Sequence, residues 1–159
     1  LVDNTLAERS TIARHQRSQT ADESGSLFTV LLHSGRQSND FAPFTDYLKT
    51  LSPAKTDLEI RSLDLRVNNG HSELSAFVMA LTTRLRLGKD FELVNAWMAV
   101  FLKIHADIVR KCTESAANDH GELRKSLVQW SEEQQREAKR LADLVGYCRG
   151  VVGFIRSSR

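Results

Sequence analysis

Proline is nearly missing from this chain: there are two in 159 residues, Pro43 and Pro53, and none beyond. A sequence so poor in helix breakers, with only eight glycines, can sustain long uninterrupted helices. Cysteine is equally scarce. Cys112 and Cys148 have no Cys or His neighbour at metal-ligand spacing, which argues against a zinc module or a disulfide framework and suits reduced thiols in an intracellular compartment. Neither sign of charge dominates. The 22 basic and 20 acidic residues leave a net +2, well short of the excess of an autonomous nucleic-acid binder. Long apolar runs are missing too: the first apolar residues are interrupted by Asp3, Asn4, Glu8 and Arg9. Neither a signal peptide nor a membrane span is therefore expected, and a start at Leu1 reads as an internal fragment. What is there, 41% hydrophobic residues over 159 positions, is enough for one domain with its own core.

Periodicity supplies the fold class. Leu1 to Arg17 has good helix formers but modest periodicity (Leu6, Ile12) and runs into polar Ser18 to Ser26, so residues 1–26 are expected to be a linker or a loosely attached helix. Residues 27–159 form the helical domain proper. Leu27, Phe28, Val30, Leu31 and Leu32 mark a short buried helix that Gly35 is expected to end. Asp40 is placed to cap a helix carrying Phe41, Phe44, Tyr47, Leu48 and Leu51 on one face. Ser52 followed by Pro53 is a favourable start for the next helix. A turn at Gly70 leads to the stripe Leu74, Phe77, Val78, Leu81 and Leu85, which ends before Gly88. Asp90 is then expected to cap the most apolar segment. Phe91, Val94, Met98, Phe101 and Ile108 make one stripe there and Leu93, Trp97, Val100 and Ile104 a second, which predicts the central, buried helix.

After polar Thr113 to Asn118, Asp119 and Glu122 resemble a capping box opening a final helix of about three dozen residues. Its apolar seam is regular. Leu127, Leu141, Cys148 and Ile155 share one seven-residue register, and Leu123, Trp130, Leu144 and Val151 the other, with Gln134 and Glu137 as polar exceptions. Gly146, Gly150 and Gly153 weaken helicity but leave room for another backbone. These elements predict an all-α fold in which antiparallel helix hairpins form a helical bundle or a short solenoid, with a long carboxy-terminal helix.

No constellation assembles into a catalytic site. Asp57, Glu59 and Asp64 form the most suggestive acidic cluster, but helix positions two apart diverge, and a solvated or capping face is the better reading. The five histidines lack a second ligand at helical spacing, and His105 is expected to be a hydrogen-bonded core or edge residue. No phosphate loop, dinucleotide fingerprint or nucleophile elbow is present, so neither enzyme nor cofactor is expected. Two kinds of binding surface remain. Leu127, Trp130 and Leu141 on the last helix, with Phe44 and Tyr47 on the earlier one, are candidate partner-binding residues; Trp97, enclosed by apolar neighbours, is expected in the core. Arg136, Lys139, Arg140, Arg149 and Arg156 could instead follow an RNA backbone. Glu132, Glu133, Glu137 and Asp143 lie among them, which better suits intrahelical ion pairs or a protein partner.

Three stretches carry a family resemblance: FTDYLKTLSPAKTDLEIRSL (Phe44 to Leu63), GKDFELVNAWMAVFLKIHADIV (Gly88 to Val109) and RLADLVGYCRGVVGFIRSS (Arg140 to Ser158). They resemble the carboxy-terminal domain of tandem WD-repeat subunit twenty-one of the UTP-B complex, the WD-repeat protein thirty-six family, over roughly the last four-fifths of the chain. Leu1 to Ser26 carries none of these motifs and is expected to fall outside the resemblance. The resemblance implies a nucleolar protein of the small-subunit processome, whose helical carboxy-terminal assembly domain joins sibling WD-repeat subunits. It also implies that the U-three small nucleolar ribonucleoprotein and precursor ribosomal RNA are met through the assembled complex, with no membrane and no small-molecule substrate.

Overall fold

The computed structural model describes residues 26–63, 67–68, 71–114 and 121–158. All but Ser26 of the linker or helix expected at 1–26, together with Asp64 and the capping residue Asp119, lies outside them. The described residues contain seven helices: α1 (Leu27–Ser38), α2 (Ala42–Thr50), α3 (Pro53–Ser62), α4 (Glu73–Arg86), α5 (Phe91–Ile104), α6 (Ala106–Glu114) and α7 (Gly121–Ser157). Between α3 and α4, β1 (Val67–Asn68) and β2 (His71–Ser72) pair antiparallel, with Val67 opposite Ser72; the turn expected at Gly70 lies outside the described residues. The fold is all-α.

Local chemistry explains most helix ends. Ser26 caps α1, accepting the Thr29 N–H at 3.4 Å and donating its hydroxyl to Glu59 Oε2 at 2.7 Å, which ties α1 to α3. Gly35 does not end α1. The helix runs on to Ser38, and Asn39 takes the left-handed conformation (φ 55°) instead, which a short polar side chain tolerates. Gly35 is needed for space. A Cβ there would sit 2.8 Å from Phe41 Cδ1 and 3.0 Å from the Asp40 carbonyl oxygen. Asp40 accepts the Ala42 N–H at 2.9 Å, and Ser52 accepts the Lys55 N–H at 3.3 Å ahead of Pro53 at the start of α3.

Asp90 is not the cap expected of it. Its backbone is left-handed (φ 56°) and its side chain makes no capping bond. The carboxylate turns instead to Lys49 Nζ and Arg84 Nη2, both at 2.6 Å, joining the ends of α2 and α4 to the start of α5. The hydrogen bond from Lys49, reinforced by Arg84 and opposed by partial burial, holds the Asp90 carboxyl below its ordinary range.

The core is built on aromatic contacts. Phe28 meets Phe44 edge-on at 5.0 Å, Phe44 meets Phe77 at 6.1 Å, and Phe77 stacks on Phe101 at 5.4 Å, geometries that add to the burial of the rings. The central helix is α4 rather than the 91–108 segment. Leu74, Phe77, Leu81 and Leu85 are fully buried on α4, and so are the small residues between them, Ser75, Ala76 and Ala80, which let neighbours close in from the sides. On α5 only Val94, Trp97, Met98 and Phe101 are buried, and Leu93 of the second stripe is exposed. The segment also breaks. His105 ends α5, donating its Nε2–H to the Ile60 carbonyl oxygen at 2.9 Å and lying 5.1 Å from the Phe101 ring, and α6 restarts at Ala106. A tertiary hydrogen bond to a buried carbonyl thus replaces helix continuity.

The last helix lies against α4, and the two run parallel. At one end Arg36 donates to both Ser75 and Glu122; at the other Arg86 Nε donates to Glu133 Oε1 at 2.8 Å. Ser75 is thereby level with Glu122 and Arg86 with Glu133. Since α4 has 14 residues and α7 has 37, α7 must overshoot the end of α4 by several turns.

Candidate interaction surface

The overshoot divides α7 into two halves of different character. From Gly121 to Leu141 one face is covered: Leu123, Ser126, Glu133 and Glu137 are buried, and Leu127 and Trp130 pack half-buried against the core. Every residue from Ala142 to Ser158 is exposed. At 1.5 Å per residue, residues 142–157 form an arm roughly 24 Å long.

A polar belt marks the point of departure. Glu133 is held by Arg86 and by Arg136 Nη1 at 2.8 Å, and Glu137 by Arg140 Nη2 at 2.9 Å. Gly88 (φ 63°) passes so close that a Cβ would lie 3.2 Å from Arg140 Nη2. Glu137, an exception in the sequence seam, therefore faces inward with a partner of its own. The pairs satisfy buried carboxylates where the turn after α4 crosses the last helix.

Beyond the belt the seam continues without cover. Leu144, Val145, Tyr147, Val151, Val152, Phe154 and Ile155 are exposed, Tyr147 and Phe154 at 72% each, and so is Cys148. With 100° per residue these side chains, together with Leu141, span an arc of roughly 180°. The opposite side carries Ala142, Gly146, Gly150, Gly153 and Ser157. Scattered exposed apolar residues are ordinary, but a contiguous strip of this extent on a solvent-facing helix is the pattern of an interaction site.

The residues singled out from sequence fall into separate environments. Phe44 has no accessible surface and belongs to the aromatic core, which corrects its placement on a docking face; its edge-on contact with Phe28 is the reason. Tyr47, Leu127 and Trp130 are half-buried against the core, and Trp130 Nε1 is buried with no hydrogen-bond partner among the described residues. Leu141 is half-buried where the arm begins. Trp97 is buried, as expected. Of the basic residues, Arg136 and Arg140 are engaged with Glu133 and Glu137. Lys139, Arg149 and Arg156 are exposed, and Lys139 lies well round the helix from the two arginines. The five do not form one strip. The residues that sequence reasoning missed are Val145, Tyr147, Val152 and Phe154. They lie outside the two seven-residue registers, and their signal is the width of the apolar arc rather than its period.

Elsewhere the described residues offer little chemistry at the surface. A groove of about 240 Å³ lies between α2, α3 and α5, lined by Leu48, Leu51, Pro53, Leu93, Trp97 and Val100. Among the described residues no group of three or more His, Cys, Asp or Glu is placed to hold a metal ion, and no helix is long and apolar enough to cross a membrane. Asp57 is paired with Arg61 at 3.0 Å and Glu59 with Ser26. Both cysteines are free thiols, and burial pushes the Cys112 thiol pKa up.

Comparison with known proteins places this architecture. Residues 2–156 match the family described as "Utp21 specific WD40 associated putative domain", which brings in the amino-terminal stretch expected to fall outside the resemblance. The chain is 42% identical over 134 residues to U3 small nucleolar RNA-associated protein 21 homolog of Schizosaccharomyces pombe, covering 84% of this chain and 14% of that protein. It is 35% identical over 133 residues to U3 small nucleolar RNA-associated protein 21 of Saccharomyces cerevisiae, covering 84% of this chain and 13% of that one. With human WD repeat-containing protein 36 it shares 30% identity over 78 residues, 49% of this chain and 9% of the human protein. The chain thus spans about one-seventh of the length of the two yeast relatives. It belongs to the Utp21-specific WD40-associated domain family.

Proposed function

We propose that this domain is a non-catalytic assembly module of the small-subunit processome. It holds its protein to the helical carboxy-terminal domains of sibling WD-repeat subunits of the UTP-B complex, in the nucleolus, in support of precursor ribosomal RNA processing and small-subunit biogenesis. The observation that carries this reading is the arm, an apolar helix face left uncovered next to a complete core. The names of the yeast relatives, both U3 small nucleolar RNA-associated proteins, supply the setting. Precursor RNA and the U3 ribonucleoprotein are then reached through the assembled complex, and no cofactor, small-molecule substrate or membrane is involved.

The test is pairwise mixing of this chain with each sibling helical domain, followed by molar-mass determination by light scattering. A discrete stoichiometric complex is expected with at least one sibling, and failure with all of them counts against the module. The second reading, direct contact with precursor RNA, draws on Lys139, Arg149 and Arg156, which form no ion pair among the described residues. It predicts an RNA shift at low salt that weakens steeply as salt rises.

A further inference from the structure

The arm carries information about its partner in its width and in its charges. A seam that pairs with one other helix needs only a narrow stripe, whereas an arc near half the circumference is covered only when helices close in from two sides. In the arm, Tyr147 and Phe154 stand at one edge of the arc and Val145 and Val152 at the other, with Leu144, Cys148, Val151 and Ile155 between. All eight are exposed.

The charges are asymmetric. Arg136 and Arg140, in the covered half, each have an acid three residues earlier and are paired with it. Arg149 and Arg156 stand a full heptad apart beside the Val145 and Val152 edge, and positions three and four residues away hold Val, Gly or Arg but no acid. Neither forms an ion pair among the described residues. A second copy does not complement them. Its arm brings a single acid, Asp143, against the two arginines, so it leaves at least one of them unmatched.

Resting on the assembly reading, we propose that the arm inserts into an apolar groove between two helices of a protein partner whose rim alongside Arg149 and Arg156 is acidic. The apolar arc supplies the adhesion, and the two arginines fix which way round the arm lies, as charges at an interface rim steer and orient more than they hold.

The test uses this chain with the sibling helical domains, compared across three forms: wild type, Leu144→Asp with Val151→Asp, and Arg149→Glu with Arg156→Glu. All substituted positions are exposed, so circular dichroism should show the same fold in each. The apolar pair should abolish the complex. The arginine pair should weaken it about tenfold, while Arg149→Lys with Arg156→Lys retains it, and the wild-type affinity should fall with added salt as the charge-reversed form does not. If the apolar pair abolishes binding and the arginine pair leaves it unchanged, the acidic rim is wrong and the assembly reading stands. Binding indifferent to both pairs moves the interface off the arm and overturns the proposal. A dimer of this chain alone, dissociated by Leu144→Asp with Val151→Asp, assigns the arm to a second copy and overturns it as well. No complex with any sibling removes the assembly reading itself, and an RNA shift lost in the charge-reversed form reassigns the arginines to RNA.

Discussion

The two halves of α7 have much the same apolar periodicity and opposite fates. In the first, Leu123 is buried, Leu127 and Trp130 pack on the core, and two buried glutamates are matched by arginines. In the second, Leu144, Val151 and Ile155 repeat the pattern in the open. The neighbour sets the difference: α4 ends level with Glu133, so the same register is core on one side of the belt and free surface on the other.

The sharpest contrast is in stability. Phe77→Ala, which removes a fully buried ring from the stack on Phe101, should cost about 3–5 kcal/mol, whereas Leu144→Ala on the arm should cost under about 0.5 kcal/mol, both by urea unfolding. Glycine should divide the same way. Gly35→Ala forces a Cβ into Phe41 and should destabilise by about 1–3 kcal/mol, while Gly146→Ala, with nothing within 4 Å, should stabilise by about 0.5–1 kcal/mol. A stabilising Gly35→Ala would show that the α1 to α2 packing is looser than described.

The belt should matter less than the core and more than the arm. Glu133→Ala strands the half-exposed Arg86 and should cost about 1 kcal/mol, against little change for the exposed Glu132→Ala. Asp90 offers a pH test. Its pKa is held below the ordinary 3.8 when folded, first by the Lys49 hydrogen bond. Its contribution is therefore fully present above the unfolded value and is lost as pH falls through the folded one. The stability difference between wild type and Asp90→Asn should be flat near neutral pH and shrink under acid. Finally, Cys148 should react with iodoacetamide in the native state while Cys112 waits for unfolding, and a partner that covers the arm should protect Cys148.

Much of this was legible in the residues because the determinants are local. The Ser52 and Pro53 start of α3, the Trp97 core position and the length of α7 follow from capping chemistry and apolar spacing. Where sequence reading failed, a tertiary contact decided. Phe41 requires Gly35 to be bare, Lys49 and Arg84 draw the Asp90 carboxylate away from a cap, and the Ile60 carbonyl ends α5 at His105. The arm was half legible: the stripe can be read from spacing, but which part is covered depends on the length of α4, a residue-by-residue match that periodicity does not encode.

Deletion of residues 142–159 tests the central claim most directly, with cooperative unfolding and sibling binding both measured on the shortened chain. If the arm is a docking element on a complete domain, the truncated chain keeps its unfolding midpoint within about 2 °C and no longer enters a complex. A shortened chain that binds as before would place the interface elsewhere on the domain, and one that no longer folds would show the arm to be part of the core.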